Sequence, residues 1–116
     1  MENEKVFAMK FGRVYKALVA KAQKKGRTRA EVDAATAWLT GYTPQEIAAA
    51  EEGATTHGEF FWCAPALNPD RVKITGKVCG VRVEDVQDPT MREIRRLDKM
   101  VDELAKGKPL DAVLRR

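Results

Sequence analysis

Five times in 116 residues this chain spells out the beginning of a helix. Thr28-Arg29-Ala30-Glu31, Thr43-Pro44-Gln45-Glu46 and Thr56-His57-Gly58-Glu59 each set a threonine three residues before a glutamate. In that pattern the hydroxyl and the carboxylate reciprocally satisfy backbone amides that the first turn leaves open. Asn68-Pro69 and Asp88-Pro89 pair a capping side chain with a proline at the first helical position, where the missing N–H has no bond to lose. Gly26, Gly41, Gly53 and Gly107 supply matching stops, since glycine ends a helix without steric strain. A chain punctuated this often must pack short helices against one another. The expected class is mainly α: one compact domain, residues 1–116, built as a bundle of five to six short-to-medium helices.

The apolar residues fall into the same segments. Phe11, Val14, Tyr15, Leu18, Val19 and Ala22 recur every three or four positions, as do Val32, Ala35, Trp38 and Leu39, so each set lines one helical face. Residues 44–52 form a short Ala-rich helix, and a brief segment follows that carries Phe60, Phe61 and Trp62. Met91, Ile94, Leu97, Val101 and Leu104 make the best amphipathic stripe in the chain. Pro109 opens a last turn with Leu110, Val113 and Leu114. Residues 72–86, VKITGKVCGVRVEDV, read two ways. The Asn68-Pro69 start favours a helix, whereas Gly76 and Gly80 would each cost it about 1 kcal/mol relative to alanine. Helix is the expectation, and α+β with a short hairpin around 72–86 is the alternative.

Apolar residues make up 44% and charged residues 33%, a globular balance that excludes a disordered tail. No apolar run approaches the ~20 residues needed to span a bilayer. The opening MENEKVFAMKFGRVYK mixes charge into every turn and has no secretory h-region. Two cysteines in such a context are expected as reduced thiols, and the expected compartment is the cytoplasm. The net charge of +4 conceals blocks: residues 1–30 carry nine Lys/Arg against two Glu, residues 31–70 carry seven acidic residues and no Lys or Arg, and residues 71–116 carry twelve cations against eight acids. Such blocks pair with each other when the chain folds back, or meet an outside partner.

From Val14 onward the chain resembles a family of small bacterial proteins known as domain-of-unknown-function family number 2200. VAKAQKKGRTRAEVD, WLTGY at 38–42, APALNPDRVKITGKVCGVRVEDVQDP and REIRRLDKMVDELAKGK carry the likeness, which fades between Thr43 and His57. The resemblance implies a single-domain, cytoplasmic bacterial protein of unknown activity, and it brings no catalytic residue to transfer.

Two groups of cations are candidates for an anionic partner. Lys24 and Lys25 suit the negative end of the first long helix, but Arg27 lies in a linker and Arg29 opens a helix where the dipole disfavours it. With Thr28 and the free amides of that helix start, these two arginines would hold a phosphate or carboxylate. Arg92, Arg96, Lys99 and Lys106 form a stripe behind the apolar face of the 89–106 helix, a second stretch of phosphate-tracking surface or an ordinary solvated face. A helix-turn-helix reading of 28–52 fails on charge, because its second helix carries Glu46, Glu51 and Glu52 and no Lys or Arg.

His57 is the only histidine. It would be the one acid–base group near neutral pH in a pocket walled by Phe60, Phe61 and Trp62. Cys63 and Cys79 sit among apolar neighbours and read as small core residues. With one histidine they do not make a zinc site, and Glu84, Asp85 and Asp88 lack the spacing of a calcium loop. No cofactor and no metal are expected. Three consecutive large rings cannot all face inward from one helix, so one of them is exposed or covered by a partner subunit, and a homodimer is one expectation. The functional expectation is a non-catalytic binding module whose anionic partner, nucleic acid being one, is met by Arg27, Arg29 and the basic face of the first and fifth long helices. The alternative is a small enzyme or small-molecule binder at the His57 pocket.

Overall fold

The computed structural model describes residues 2–116. Among these the chain runs α1 (Glu2–Ala8), α2 (Phe11–Lys24), α3 (Arg29–Thr40), α4 (Pro44–Glu52), α5 (His57–Trp62), a 3-10 segment (Pro69–Lys73), the strands β1 (Lys77–Val78) and β2 (Val81–Arg82), a second 3-10 turn (Val83–Asp85), α6 (Pro89–Ala105) and α7 (Leu110–Val113). The class is mainly α, as the punctuation requires. The seven α-helices exceed the expected five to six because two one- or two-turn pieces, α1 and α7, count as helices in their own right.

The start signals work as their chemistry dictates. Thr28, Thr43 and Thr56 each accept from the amide three residues on, and Glu31, Glu46 and Glu59 each reach back to the threonine amide. Asp88 accepts from Met91 N at 3.0 Å and so caps α6.

Residues 72–86 correct the helix expectation. The Asn68-Pro69 start is real, but it drives only a five-residue 3-10 segment. The chain then forms an antiparallel hairpin pairing Lys77 with Arg82 and Val78 with Val81. Its turn needs positive φ at Cys79 (52°) and Gly80 (77°), which a helix cannot contain. The glycine cost therefore outweighed the cap.

One apolar cluster draws on every major element: Phe11, Tyr15 and Val19 of α2, Val32 and Leu39 of α3, Ile47 of α4, Phe60 of α5 and Leu97, Met100 and Leu104 of α6. Glycine sets the closest approach. A Cβ on Gly12 would overlap the Glu51 carbonyl oxygen, and one on Gly58 would lie 2.7 Å from Phe7 Cβ. These two residues let α4 seat on α2 and α1 seat on α5. Phe11 N donates to Thr55 O (2.9 Å) and His57 N to Met9 O (2.7 Å), which ties the α1–α2 joint to the start of α5.

Candidate functional site

Each candidate cation can be followed to its partner. Arg27 sends Nε and Nη2 to the Glu31 carboxylate, Nη2 at 2.5 Å, and Nη1 to the carbonyls of Leu104 (2.9 Å) and Lys108 (2.7 Å). It thus caps the C-terminal end of α6, where unpaired carbonyls collect. The same guanidinium, joined by the Thr28 amide, holds the Glu31 carboxyl down at about 2. Arg29 pairs with the buried carboxylate of Glu51, lies 3.6 Å from Asp33, and stands over the Tyr15 ring at 5.6 Å. The expectation that these two arginines lack a structural role is corrected: each has an acid four residues on, Glu31 and Asp33, and further partners distant in sequence that local helix logic does not reveal. Thr28 is engaged as the cap of α3.

The stripe on α6 is likewise engaged by the chain itself, although Lys106 stays exposed. Arg92 donates to the Val86 carbonyl at 2.8 Å. Arg96, itself buried, donates to both oxygens of buried Glu93, which also receives Arg71 Nε at 2.9 Å. Lys99 donates to the Lys77 carbonyl at 3.1 Å, and Lys106 meets Asp102 at 3.0 Å. Segment 69–86 supplies the carbonyls that hold Arg92 and Lys99, while Arg96 and Lys106 bind acids three or four residues away on α6 itself.

Different cations stay free. Lys10, Arg13, Lys16, Lys24 and Lys25 are exposed, and no hydrogen bond or ion pair joins any of them to a side chain among the described residues. On α2 only Lys21 is paired, with Asp102 at 3.2 Å. Arg13, Lys21 and Lys24 fall on one stripe of α2 with Ala17 and Ala20 between them, and Lys16 lies to its side. From the cap residue Lys10 to Lys24 the cations extend over ~21 Å at ~1.5 Å per residue. Arg13 and Lys16, with the exposed Glu52, line an open recess of about 400 Å³ between α2 and the end of α4. Both belong to the basic face of the first long helix, which the sequence marks as a whole without naming them. Their positions out of phase with Phe11, Tyr15 and Val19 are the signal that marks them.

His57 does not line a hollow. It is 1% exposed, lies near-parallel to Phe11 at 5.9 Å and edge-on to Phe61 at 5.2 Å. Its Nδ1 finds no hydrogen-bond partner among the described residues. Burial pushes the imidazolium pKa down to about 4. Phe60 stacks on Phe11 at 3.8 Å and meets Tyr42 at 4.4 Å, so Phe60, Phe61 and His57 are core. Trp62, 59% exposed, is the ring that faces out.

A separate cleft of about 430 Å³ lies between α4 and α5, lined by Tyr42, Glu46, Ala49, Glu59 and Cys63. Its two carboxylates are held in capping boxes and the Tyr42 hydroxyl donates to the Phe60 carbonyl. Both cysteines are exposed thiols, not core, because Cys63 ends α5 and Cys79 sits in the hairpin turn. Glu84 accepts from Gly76 N at 2.9 Å and Asp88 caps α6. The acids flanking the hairpin are thus engaged separately. No helix is long and apolar enough to cross a membrane among the described residues.

These features define a small, mainly helical protein with an unpaired cationic helix face and an enclosed histidine. The chain belongs to the family described as "Uncharacterized protein conserved in bacteria (DUF2200)", whose model matches residues 5–115. It is similar to a protein of known crystal structure, "uncharacterized protein SP1917", at 50% identity over 97% of this chain and 92% of that one, with a TM-score of 0.93. No curated protein matches it.

Proposed function

We propose that this chain is a non-catalytic binding module that meets an anionic partner through the outer face of α2. One observation carries the reading: Lys10, Arg13, Lys16, Lys24 and Lys25 stand exposed without a carboxylate of their own, while the cations of α6 that point back from its apolar face are held by the chain itself. A one-signed helical stripe in a protein of pI ≈ 9.2 has the electrostatic footprint of a polyanion binder, nucleic acid included. Arg27, Arg29, Arg92, Arg96 and Lys99 add to the field without being free to close on a ligand.

The test is binding to heparin and to mixed-sequence duplex oligonucleotides as salt is raised. Affinity is expected to fall steeply with salt and to disappear in Arg13→Glu/Lys16→Glu/Lys24→Glu. Absence of binding at low salt, or binding indifferent to that triple reversal, would overturn the proposal.

A further inference from the structure

Trp62 is the most exposed ring of the chain's aromatic cluster, and its position differs from that of a stray surface side chain. Two hollows share it as their common wall and share nothing else. One, about 410 Å³, is lined by Glu4, Phe7, Ala8 and Glu59. The other, about 250 Å³, is lined by Phe61, Leu67, Arg71 and Pro89. The indole is therefore a ridge between two depressions, steadied on one side by an edge-to-face contact with Phe7 at 5.5 Å. Trp is among the residues most enriched at the energetic centre of protein interfaces.

The two hollows differ in charge. Glu59 is exposed at the rim of the first, its carboxyl kept below the usual range by the Thr56 amide, so it is ionised at neutral pH. The second is lined by Arg71 together with its carboxylate partner Glu93, which also holds the buried Arg96 just beneath the hollow. Two guanidiniums against one carboxylate leave that side with a surplus positive charge.

We propose that this face is a self-association surface, on which a second copy of the chain seats its own Trp62 beside this one around a two-fold axis. An axis lying in the face and running across the line of the two hollows brings the acidic hollow of each copy onto the cationic hollow of the other. Every favourable contact is then made twice, as an isologous interface requires. The alternative axis, along the line of the hollows, sets like charge on like and is disfavoured. The occupant follows from this complementarity: the surface carries on one side the charge that the other side lacks.

The experiment is sedimentation equilibrium of the full chain from about 1 to about 100 μM, a range that spans micromolar affinity. A reversible species of twice the chain's mass is expected, and Trp62→Ala should raise its dissociation constant by about 30-fold or more. Since Trp62 is largely exposed, circular dichroism and the unfolding midpoint of the monomer should hardly move. Glu59→Gln keeps the capping pattern of α5 while removing the charge. It should weaken the dimer by about three- to fivefold, and added salt should act in the same direction. A chain monomeric throughout that range overturns the proposal, as does a dimer that Trp62→Ala leaves unchanged. A dimer strengthened by Glu59→Gln overturns the assigned axis.

Discussion

α2 and α6 begin from the same materials and end differently. Each is a long amphipathic helix with its apolar stripe in the common core and cations on its back. On α6, Arg92 and Lys99 bind carbonyls, Arg95 binds Asp98, and Arg96 and Lys106 bind carboxylates. On α2, Arg13, Lys16 and Lys24 face solvent with no ion pair among the described residues, where only Lys21 crosses to a partner. The difference lies in what passes overhead and in the acids each helix carries. α6 is contacted by α2, α3, α5, α7, β1 and the second 3-10 turn, and connecting chain supplies carbonyls to Arg92 and Lys99. The outer face of α2 has no such cover. Arg95, Arg96 and Lys106 find acids three or four residues away on α6 itself, and α2 has none. A cation's role is thus set partly by acids at helical spacing, which the sequence shows, and partly by long-range chain path, about which helical periodicity carries no information.

The comparison breaks most readily at Glu93. Its carboxylate is buried and holds two guanidiniums, Arg71 at 2.9 Å and Arg96 at 2.8 Å. Glu93→Ala would leave Arg96 charged and buried without a counter-ion, and the expected loss is about 3–5 kcal/mol of unfolding free energy in urea. A loss below about 1 kcal/mol would mean that the back of α6 behaves like an exposed surface after all.

Acid separates interior from surface next. His57 titrates near 6.5 when unfolded, and burial lowers it to about 4 in the fold. Between those values the unfolded chain holds the extra proton, so stability falls as pH drops through this window. The difference of about 2.5 pH units corresponds to about 3 kcal/mol lost between pH 6.5 and 4. Urea titrations across that range should show the slope, and His57→Gln should flatten it whatever its effect at pH 7. Glu31, held down at about 2 by Arg27, contributes stability that is present above its unfolded value near 4.5 and lost below it. The two residues therefore act in adjacent windows.

Arg27 tests whether a linker cation can matter as much as a helical one. Its fork joins the start of α3 to the carbonyls ending α6. Arg27→Ala is expected to cost about 2 kcal/mol, the scale of hydrogen bonds to a charged group. Arg27→Lys should recover only part, because an ammonium cannot satisfy both carbonyls and the carboxylate in one plane. A lysine variant equal to wild type in chemical denaturation would reduce the contact to simple charge.

How much of this was legible beforehand follows the range of the interaction. The capping boxes at Thr28, Thr43 and Thr56 were readable because each is complete within four residues. The stripe from Met91 to Leu104 was readable because a helix repeats over one turn. The hairpin at 77–82 was legible only as an alternative, since the outcome depended on balancing one cap against two glycines. The long-range partners of Arg27 and Arg29 were opaque: Leu104, Lys108 and Glu51 lie 22 to 81 residues away, whereas Glu31 and Asp33 stand only four residues on. His57 was equally hidden, because nothing near it in sequence announces that Phe11 will lie across its ring. Trp62 was partly legible, since helix geometry forbids three adjacent rings from facing inward and leaves open only which one turns out.

The smallest expected effect on stability falls on the face proposed to bind. Arg13→Ala/Lys16→Ala/Lys24→Ala removes three exposed side chains that have no hydrogen bond or ion pair among the described residues. Each substitution should change unfolding free energy by less than about 0.5 kcal/mol. The sign should be slightly stabilising, because alanine is the better helix former and like charges at close spacing are removed. The same variant should lower the slope of log affinity against log salt by about 2 to 3 for a duplex ligand, given ~0.9 released counterions per phosphate contact. That pairing of a silent effect on folding with a large one on binding is the signature of cations held outward. If the triple variant instead unfolds far more easily, the cations of α2 are tied into the fold and the contrast with α6 disappears.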